Sequence, residues 1–403
     1  MVGKPTSSDS TFVVKVSPRG ATRLKDGHVW VYRSDIVSAD GATPGSVVAV
    51  TDHRGQFLGS ALYSSSSQIA IRLISREAVS DFPALLRRRI ADAIAYREPM
   101  VHDSNAYRVI FSEADFLPGL IVDRYNDILS VQILTQAMDA EVVRQTLVSE
   151  LNERLHPASV VERVDPRVRQ LEELPPRPSG RLQGDKTSTA FSMNGVQFKF
   201  EALAGQKTGA FLDQRENYAA AAQYAHGEAL DVFCYQGGFA LHLASRCTHV
   251  SGVDSSRPAL EVAEQNAGLN RPLFRDKEIE WIEANAFDLL KDYASSGQRY
   301  DTIVLDPPAF AKSKRDLDAA LRGYKELNLR AFKMLRPGGI LVTCSCSYHV
   351  SSSEFLGMLA DAARDARRNL RLVEVRGQAK DHPVLLNVPE TAYLKCVIAH
   401  VSD

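Results

Sequence analysis

The sequence predicts an α/β fold in which a mostly parallel, doubly wound sheet follows a small β-barrel and a mixed α+β region. Three observations lead to this prediction. Short strand patterns dominate residues 12–74, helix and hairpin patterns mix over residues 75–203, and strand and helix patterns alternate regularly from residue 204 onwards. The predicted domains are therefore residues 1–75, 76–203 and 204–403.

The first segment contains strand patterns in which apolar residues alternate with polar ones: TFVVKVSP, GSVVAVTD, FLGSALYS and QIAIRLIS. Eight basic and five acidic residues lie within residues 1–74, whereas the whole chain has a net charge of -1. This excess indicates either an ordinary solvated surface or a face that binds RNA phosphates. The stretch LKDGHVWVYRSDI (24–36), with Trp30 and Tyr32 among basic residues, resembles the opening of a PUA domain, a small RNA-binding barrel.

The second segment combines amphipathic helices with β-hairpins. Apolar residues recur at helical spacing in residues 81–98 and 140–155. The stretch PGLIVDRYNDILSVQIL (118–134) predicts two strands around a Tyr-Asn-Asp turn, and TAFSMNGVQFKFEA (189–202) predicts a hairpin through Asn-Gly. The stretch 172–185 is rich in proline and glycine and predicts a loop.

The third segment contains seven near-continuous apolar strand patterns. They cover residues 228–233, 248–254, 279–284, 300–306, 339–345, 370–376 and 392–401. Helical patterns separate the first six, which predicts parallel neighbours. The seventh follows the sixth without a helix, so we expect an antiparallel strand. This is the plan of class I, Rossmann-like methyltransferases.

Three of these strand ends suggest a ligand pocket, because ligands of doubly wound sheets bind at the carboxyl ends of the strands. Gly237 and Gly238 open a helix after the first strand, Asp254 ends the second, and Asn285 follows the third. Bulky residues occupy the turn before the glycines, where nicotinamide-binding enzymes have G-x-G-x-x-G, so a pyrophosphate would not fit closely. The Asp254 carboxylate suits a ribose diol, and Asn285 with Asp288 suits an adenine edge.

Two further strand ends carry the candidate catalytic residues, Asp306 in LDPPAFAKSK (305–314) and Cys346 in CSCSYHV (344–350). A thiolate that adds to carbon 6 of a pyrimidine makes carbon 5 nucleophilic, so Cys346 is a candidate nucleophile and Asp306 a candidate partner for the ring. Cys344 lies within the strand, two residues earlier on the same face, and is expected in the core. Nothing nearby resembles a thioredoxin-type redox unit, and a metal site would need two more ligands.

The motifs together resemble one family, the large-subunit ribosomal RNA methyltransferase I family. They are GQKTGAFLDQREN (205–217), DVFCYQGGFAL (231–241), LDPPAFAKSK, RPGG (336–339) and CSCSYHV, and the likeness covers nearly the whole chain. The resemblance implies a PUA domain, a central domain and a class I catalytic domain. It implies S-adenosylmethionine as methyl donor, 5-methylcytosine in large-subunit ribosomal RNA as product, and Cys346 as the attacking residue.

The resemblance also implies a cofactor site built from these motifs. Its candidate residues are Lys207, Phe211, Asp213, Arg215, Asp231, Phe233, Tyr235, Gly237, Gly238, Asp254, Ser255, Asn285, Ala286 and Asp306. One departure concerns product release. Many RNA cytosine-5 methyltransferases carry a second cysteine after the aspartate motif, where this chain has Pro307-Pro308.

Two other functions stay open. The chain can methylate an exocyclic amine of an RNA base through Asp306, Pro307 and Phe310, with Cys346 structural, or it can be a non-enzymatic RNA-binding protein with a vestigial cofactor fold. No signal peptide and no run of about 18 apolar residues occurs, and five cysteines lack a disulfide pattern. We therefore expect a cytoplasmic protein with no membrane partner and no metal, for which a homodimer is one candidate state.

Overall fold

Four β-sheets organise the described part of the chain, with six, five, two and seven strands. The computed structural model describes residues 12–203, 210–274, 277, 279–311 and 313–403. Within those residues, no helix has both the length and the apolar composition needed to cross a bilayer.

The N-terminal sheet contains the four predicted strands and two shorter ones. Its elements are β1 (Phe12–Val16), α1 (Pro18–Lys25), β2 (Trp30–Tyr32), β3 (Ile36–Ser38), β4 (Val47–Thr51), β5 (Phe57–Tyr63) and β6 (Ile69–Ser75). The strand order is β2-β6-β5-β4-β1-β3. Helix α1 was not predicted; it begins because the Ser17 side chain accepts from the amide of Gly20 and Pro18 occupies the first turn.

A five-stranded sheet follows, covered by two helices. Its elements are α2 (Phe82–Arg97), β7 (Ala106–Phe111), β8 (Leu120–Tyr125), β9 (Ile128–Ile133), α3 (Glu141–Leu155), β10 (Ser159–Glu162), α4 (Pro166–Leu171) and β11 (Gly180–Gln183). The order is β11-β10-β9-β8-β7. The prediction of a loop over 172–185 was wrong at β11, because antiparallel pairing with β10 orders this stretch despite its composition.

The predicted Asn-Gly hairpin is present as β12 (Ser188–Met193) and β13 (Val196–Glu201). Asn194 and Gly195 both have positive φ, 52° and 82°, as a tight hairpin turn requires. The hairpin does not join the five-stranded sheet. Its backbone instead pairs with the side chains of Asn266 and Asn270 in the C-terminal part, through bonds of 2.7–2.9 Å.

The C-terminal sheet has the predicted doubly wound plan. Its elements are α5 (Arg215–Tyr224), β14 (Glu228–Val232), α6 (Gly238–Ala244), β15 (His249–Asp254), α7 (Arg257–Leu269), β16 (Ile279–Glu283), α8 (Ala286–Ser296), β17 (Tyr300–Leu305), α9 (Leu317–Met334), β18 (Leu335–Ser345), α10 (Ser352–Asp365), β19 (Asn369–Arg376) and β20 (Lys395–Ser402). The order is β16-β15-β14-β17-β18-β20-β19, and β20 is antiparallel to both neighbours. The order reverses between β14 and β17, which opens a crevice at their carboxyl ends.

The segment 377–394, between β19 and β20, joins the three parts of the molecule. The Asp381 carboxylate accepts from the Arg108 amide of the central sheet at 2.8 Å and from Arg215 of the C-terminal part at 2.9 Å. Farther along, Glu390 lies 3.1 Å from His28 of the N-terminal part. The N-terminal part is therefore attached, through His28, to the segment that leads into β20.

Candidate active site

An open cavity of about 1270 Å³ lies at the carboxyl ends of β14, β15 and β17. Predicted site residues on its wall are Phe211, Asp213, Phe233, Tyr235, Asp254, Ser255, Asp306 and Cys346. Gly238 lines a small recess that shares Phe233, Tyr235 and Asp306 with the main cavity. The volume exceeds that of a typical small-ligand pocket, about 300–1,000 Å³, so there is room for a cofactor and a nucleotide together.

The turn after β14 forms the floor of this cavity and has an unusual backbone. Phe233 and Tyr235 adopt positive φ of 68° and 49°, which bulky residues rarely do. Such a conformation costs about 1–3 kcal/mol per residue and persists only where the surroundings impose it. Here the Asp254 carboxylate accepts from the Tyr235 amide at 2.9 Å and fixes the turn against β15.

The two glycines of this turn are required by packing. A Cβ on Gly238 would lie 2.5 Å from the ring of Tyr218, and one on Gly237 would lie 2.9 Å from Trp281. Gly237 also has a φ of 85°, which favours glycine. The contacts that exclude a side chain at these two positions therefore come from the protein itself.

Asp254 lies where a ribose-binding carboxylate is expected. Its two oxygens accept from the amides of Tyr235 and Ser256, each at 2.9 Å, and the side chain still faces the cavity. Since each carboxylate oxygen has two acceptor positions, capacity for two hydroxyl groups remains.

Among the described residues, the charges on the cavity wall are mostly negative. They comprise four acidic residues and one lysine: Lys199, Glu201, Asp213, Asp254 and Asp306. A negative wall attracts the sulfonium and ammonium groups of S-adenosylmethionine. It repels the diphosphate of a dinucleotide. The residues present therefore fit S-adenosylmethionine better than a dinucleotide.

Asp306 is held by a buried chain of amide groups. Gln214 Nε2 donates to Asp306 Oδ1 at 3.0 Å, and Asn217 Nδ2 donates to Gln214 Oε1 at 2.7 Å. Arg376 Nε in turn donates to Asn217 at 2.8 Å. Because Gln214 and Asn217 are both buried, this chain fixes one oxygen of Asp306 and leaves the carboxylate on the cavity wall.

The two cysteines of β18 have different environments. Cys344 is fully buried opposite Cys396 of β20, so it packs in the core as expected. Cys346 follows the last residue of the strand, is partly exposed and lines the cavity, with Sγ 3.9 Å from the carbonyl of Pro307. Burial, followed by the charges of Asp306 and Asp213, raises the pKa of the Cys346 thiol to about 11. A nucleophilic role therefore requires a nearby group that favours the thiolate.

A hydroxyl network beneath Cys346 was not predicted from sequence. The Tyr324 hydroxyl lies 3.0 Å from Ser345 Oγ and 2.9 Å from Ser347 Oγ, and Ser347 Oγ accepts from the Ala311 amide at 3.1 Å. These bonds tie the cysteine turn to the loop after Asp306. Ser345, Ser347 and Ala311 belong to recognised motifs, whereas Tyr324 lies in an ordinary amphipathic helix.

Several predicted cofactor residues lie away from the cavity wall. The Arg215 side chain is buried and pairs with Asp381 at 2.9 Å. Asp231 is fully buried and accepts from the Ala240 amide at 2.8 Å, where it caps helix α6. Burial raises the pKa of the Asp231 carboxyl to about 8. Both residues support the walls of the site in this structure.

The adenine-side residues also have local partners. Asn285 caps helix α8 by accepting from the amides of Phe287 and Asp288, and Ala286 is buried in the first turn. Neither belongs to the cavity wall that the structure describes. Lys207 lies outside the described residues.

The hairpin and α7 contribute a wall that sequence analysis missed. Ser188, Ala190 and Lys199 of the hairpin face the cavity with Pro258 and Val262 of α7. The alternating pattern of the hairpin identifies these as residues of one face, but no sequence signal indicates what that face meets.

Family models match two regions of the chain. A model for a PUA-like domain matches residues 14–76, and a model for an S-adenosylmethionine-dependent methyltransferase matches residues 117–399. The second match covers the cavity and both candidate catalytic residues. The methyl donor is therefore S-adenosylmethionine.

Individual proteins resemble the chain over its whole length. "Ribosomal RNA large subunit methyltransferase I" of Shewanella denitrificans is 39% identical over 400 residues, which is 96% of this chain and 99% of that one. The protein of that name from Photobacterium profundum is 37% identical over 94% of this chain and 96% of its own. A crystal structure of a putative methyltransferase complexed with SAH has a TM-score of 0.82 at 19% identity, covering 97% of this chain and 100% of that one, which shows the shared fold.

Proposed function

Because the chain belongs to the ribosomal RNA large subunit methyltransferase I family, we propose that it methylates carbon 5 of a cytosine in large-subunit ribosomal RNA with Cys346 as nucleophile. Its relatives carry large-subunit ribosomal RNA in their name, and the match extends over nearly every residue. The substrate assignment rests on that name, and the choice of carbon 5 rests on the site.

One observation supports carbon 5 above others: Cys346 and Asp306 line the same cavity from neighbouring strands. Leu305 pairs with Thr343, so Asp306 and Cys346 both lie just beyond the paired strand ends. The Sγ atom is 3.9 Å from the carbonyl after Asp306. A thiol and a carboxylate that line one cavity are what a pyrimidine ring needs on its face and at its edge.

The proposed reaction begins when the Cys346 thiolate forms a bond to carbon 6 of the cytosine. The ring electrons shift toward carbon 5, which becomes nucleophilic, while Asp306 hydrogen-bonds the ring edge and favours that shift. Bound S-adenosylmethionine supplies the methyl group at the cavity end lined by Asp254. The carbon-5 proton then leaves to a base, the sulfur–carbon bond breaks, and Cys346 is released as thiolate.

The target base must leave its stack to enter the cavity. Carbon 5 and carbon 6 of a paired cytosine are covered by neighbouring bases, so single-stranded or flipped-out RNA is the expected substrate. We expect the N-terminal part to hold the flanking RNA. This expectation is supported by its residue His28, which contacts Glu390, because Leu394, four residues after Glu390, lines the cavity.

The exocyclic-amine alternative is less well supported by the arrangement of the aspartate loop. In that chemistry an aromatic residue near the two prolines would stack on the base. Ala309 faces the cavity, whereas the Phe310 ring packs 4.7 Å from Tyr324. Among the described residues that line the cavity, Phe310 is absent, so its ring is not available to stack on a base.

A parallel assay of three proteins tests the proposal: wild type, Cys346→Ser and Cys344→Ala as the matched core control. Each receives tritiated S-adenosylmethionine with unmodified large-subunit RNA, and the labelled nucleoside is identified. A second reaction uses RNA containing 5-fluorocytidine, in which the carbon-5 substituent cannot leave as a proton. We expect 5-methylcytosine and a trapped protein–RNA adduct with wild type and Cys344→Ala. Cys346→Ser should lose both, with turnover reduced at least about 10³-fold.

Each alternative predicts a different result. Full activity of Cys346→Ser with label on an exocyclic amine would move the chemistry to Asp306. Absence of S-adenosylmethionine binding by wild type would indicate an RNA-binding protein without catalysis.

A further inference from the structure

Lys395 is a buried cation at the start of β20. It is 7% exposed, and its Nζ donates to the carbonyls of Ser347 at 2.6 Å and Tyr393 at 2.9 Å. No carboxylate lies within ion-pair distance of it among the residues that the structure describes. A buried ammonium that lacks a counter-ion is costly, so its retention calls for a physical reason.

The strand register places this ammonium beside the candidate nucleophile. Ser345 of β18 pairs with Lys395 of β20, and the lysine reaches past that pair to the carbonyl of Ser347. Cys346 is the residue between the two contacts. The Lys395 charge therefore lies against the turn that carries Sγ, on the protein side, while the thiol faces the cavity.

Among the described residues, the charges other than that of Lys395 that act on the Cys346 thiol are acidic. Asp306 and Asp213 face the thiol from the cavity wall, Glu354 lies on α10, and Tyr324 and Tyr393 border it from α9 and the segment before β20. The two aspartates disfavour a thiolate. Lys395 is the group in this set whose charge favours it.

The titration properties of the pair agree with this geometry. Burial raises the pKa of the Cys346 thiol to about 11 and lowers the pKa of the Lys395 ammonium to about 8. Each group is thus destabilised in its charged form when alone, and each charge stabilises the other.

We propose that Lys395 is a positioning residue that keeps a positive charge beside Cys346, fixes the 346–347 turn and stabilises the thiolate that attacks RNA. The inference rests on the proposed function. When the thiolate forms, the Sγ proton leaves to water in the open cavity, and the freed electron pair makes the bond to carbon 6. At pH 7, below the pKa of about 8 of its ammonium group, Lys395 stays mostly protonated and balances the sulfur charge before attack and after release.

Alkylation of the thiol tests this without RNA or methyl transfer. The full-length protein is treated with iodoacetamide between pH 6 and 10, and modification of Cys346 is followed by mass spectrometry. The other four cysteines are buried, and Cys346→Ser supplies the background. Because only the thiolate reacts, the pH profile reports the thiol pKa.

Three variants separate charge from packing: Lys395→Met, Lys395→Gln and Lys395→Arg. Gln and Arg both retain hydrogen-bond donors for the two carbonyls, but only Arg retains the charge. We expect alkylation at pH 7, where Lys395 is mostly charged, to fall about tenfold in Met and Gln, since an opposite charge shifts a pKa by about 1–3 units, and to recover in Arg.

Equal pH profiles for Gln and Arg, with folding verified by thermal melting, would overturn the proposal even if Met fails to fold. Failure of the proposed function is a separate result. An active Cys346→Ser protein would refute the nucleophile, whatever the alkylation profiles of the Lys395 variants show.

Discussion

Replacing Asp381 by alanine should destabilise the junction of the three parts of the protein. The Asp381 side chain is fully buried and accepts from Arg215 Nη2 at 2.9 Å and from the Arg108 amide at 2.8 Å. Without it, the 3% exposed Arg215 side chain would keep one carboxylate partner among the described residues, Glu216 at 3.4 Å. Among the described residues, Arg215 Nε already has no hydrogen-bond partner.

The magnitude follows from the burial of the pair. Breaking a buried ion pair by removing one partner costs about 3–5 kcal/mol, because the remaining charge stays desolvated. We therefore expect Asp381→Ala to lose about that much free energy of unfolding. Asp185 is the matched control, since its side chain is 99% exposed in its ion pair with Arg181. Asp185→Ala should change stability by less than about 0.5 kcal/mol.

The assay is guanidinium chloride denaturation at pH 7, followed by tryptophan fluorescence. The chain has two tryptophans, Trp30 in the N-terminal sheet and Trp281 in the C-terminal sheet. Single-tryptophan versions report each sheet separately, which shows whether the two unfold together. A loss below about 1 kcal/mol in both transitions of Asp381→Ala would refute the reasoning.

The effect should also depend on pH. Burial opposes ionisation of Asp381, but His382 and Arg215 outweigh it and hold the pKa of this carboxyl well below its usual range. A depressed pKa means that the contribution is present above the unfolded value of about 3.9. It is lost as the pH falls through the folded pKa. The difference between wild type and Asp381→Ala should therefore be constant from pH 5 to 7 and shrink in stronger acid.

Two further predictions concern the cofactor side. Gly238→Ala places a Cβ 2.5 Å from the Tyr218 ring, so denaturant titration should show that the free energy of unfolding falls by about 1–3 kcal/mol. The control is Gly268→Ala on α7, where the added Cβ meets open space, and this change should be neutral or stabilising. If Gly238→Ala is as stable as wild type, the Tyr218 ring can move to make room for the added methyl group, and the reasoning is wrong. Asp254→Ala removes the acceptor for the Tyr235 and Ser256 amides. Calorimetry should show that the variant binds S-adenosylmethionine at least about tenfold more weakly, while its affinity for RNA is unchanged. Equal cofactor affinity would place the ribose elsewhere.

Local patterns were sufficient for most of the C-terminal fold. Near-continuous apolar runs separated by helices predicted all seven strands and the antiparallel β20, because each run can be buried only between two layers. Boundaries differed: β18 begins at Leu335, four residues before the prediction. Parallel pairing of Tyr300 with Leu335 extends the strand through RPGG, which turn statistics alone would exclude.

The domain boundaries at residues 75 and 203 stay predictions. The hairpin at 188–201 lies before the second boundary in sequence, yet it hydrogen-bonds α7 and lines the cavity. Amphipathic alternation predicts a hairpin and its buried face. It does not predict which neighbour covers that face.

The sequence alone determined which candidate site residues lie at the ends of strands. The glycine turn, Asp254, Asp306 and Cys346 each lie at or just beyond the end of a predicted strand. Parallel strands bring these ends together at one edge of the sheet. Tertiary structure decided which neighbouring polar residues face the cavity. Arg215 pairs with a residue 166 positions away, and Lys395 reaches the cysteine turn from the neighbouring antiparallel strand. Periodicity records the face of an element that is buried, whereas the partner of a buried charge depends on contacts between distant segments, which only the folded chain brings together.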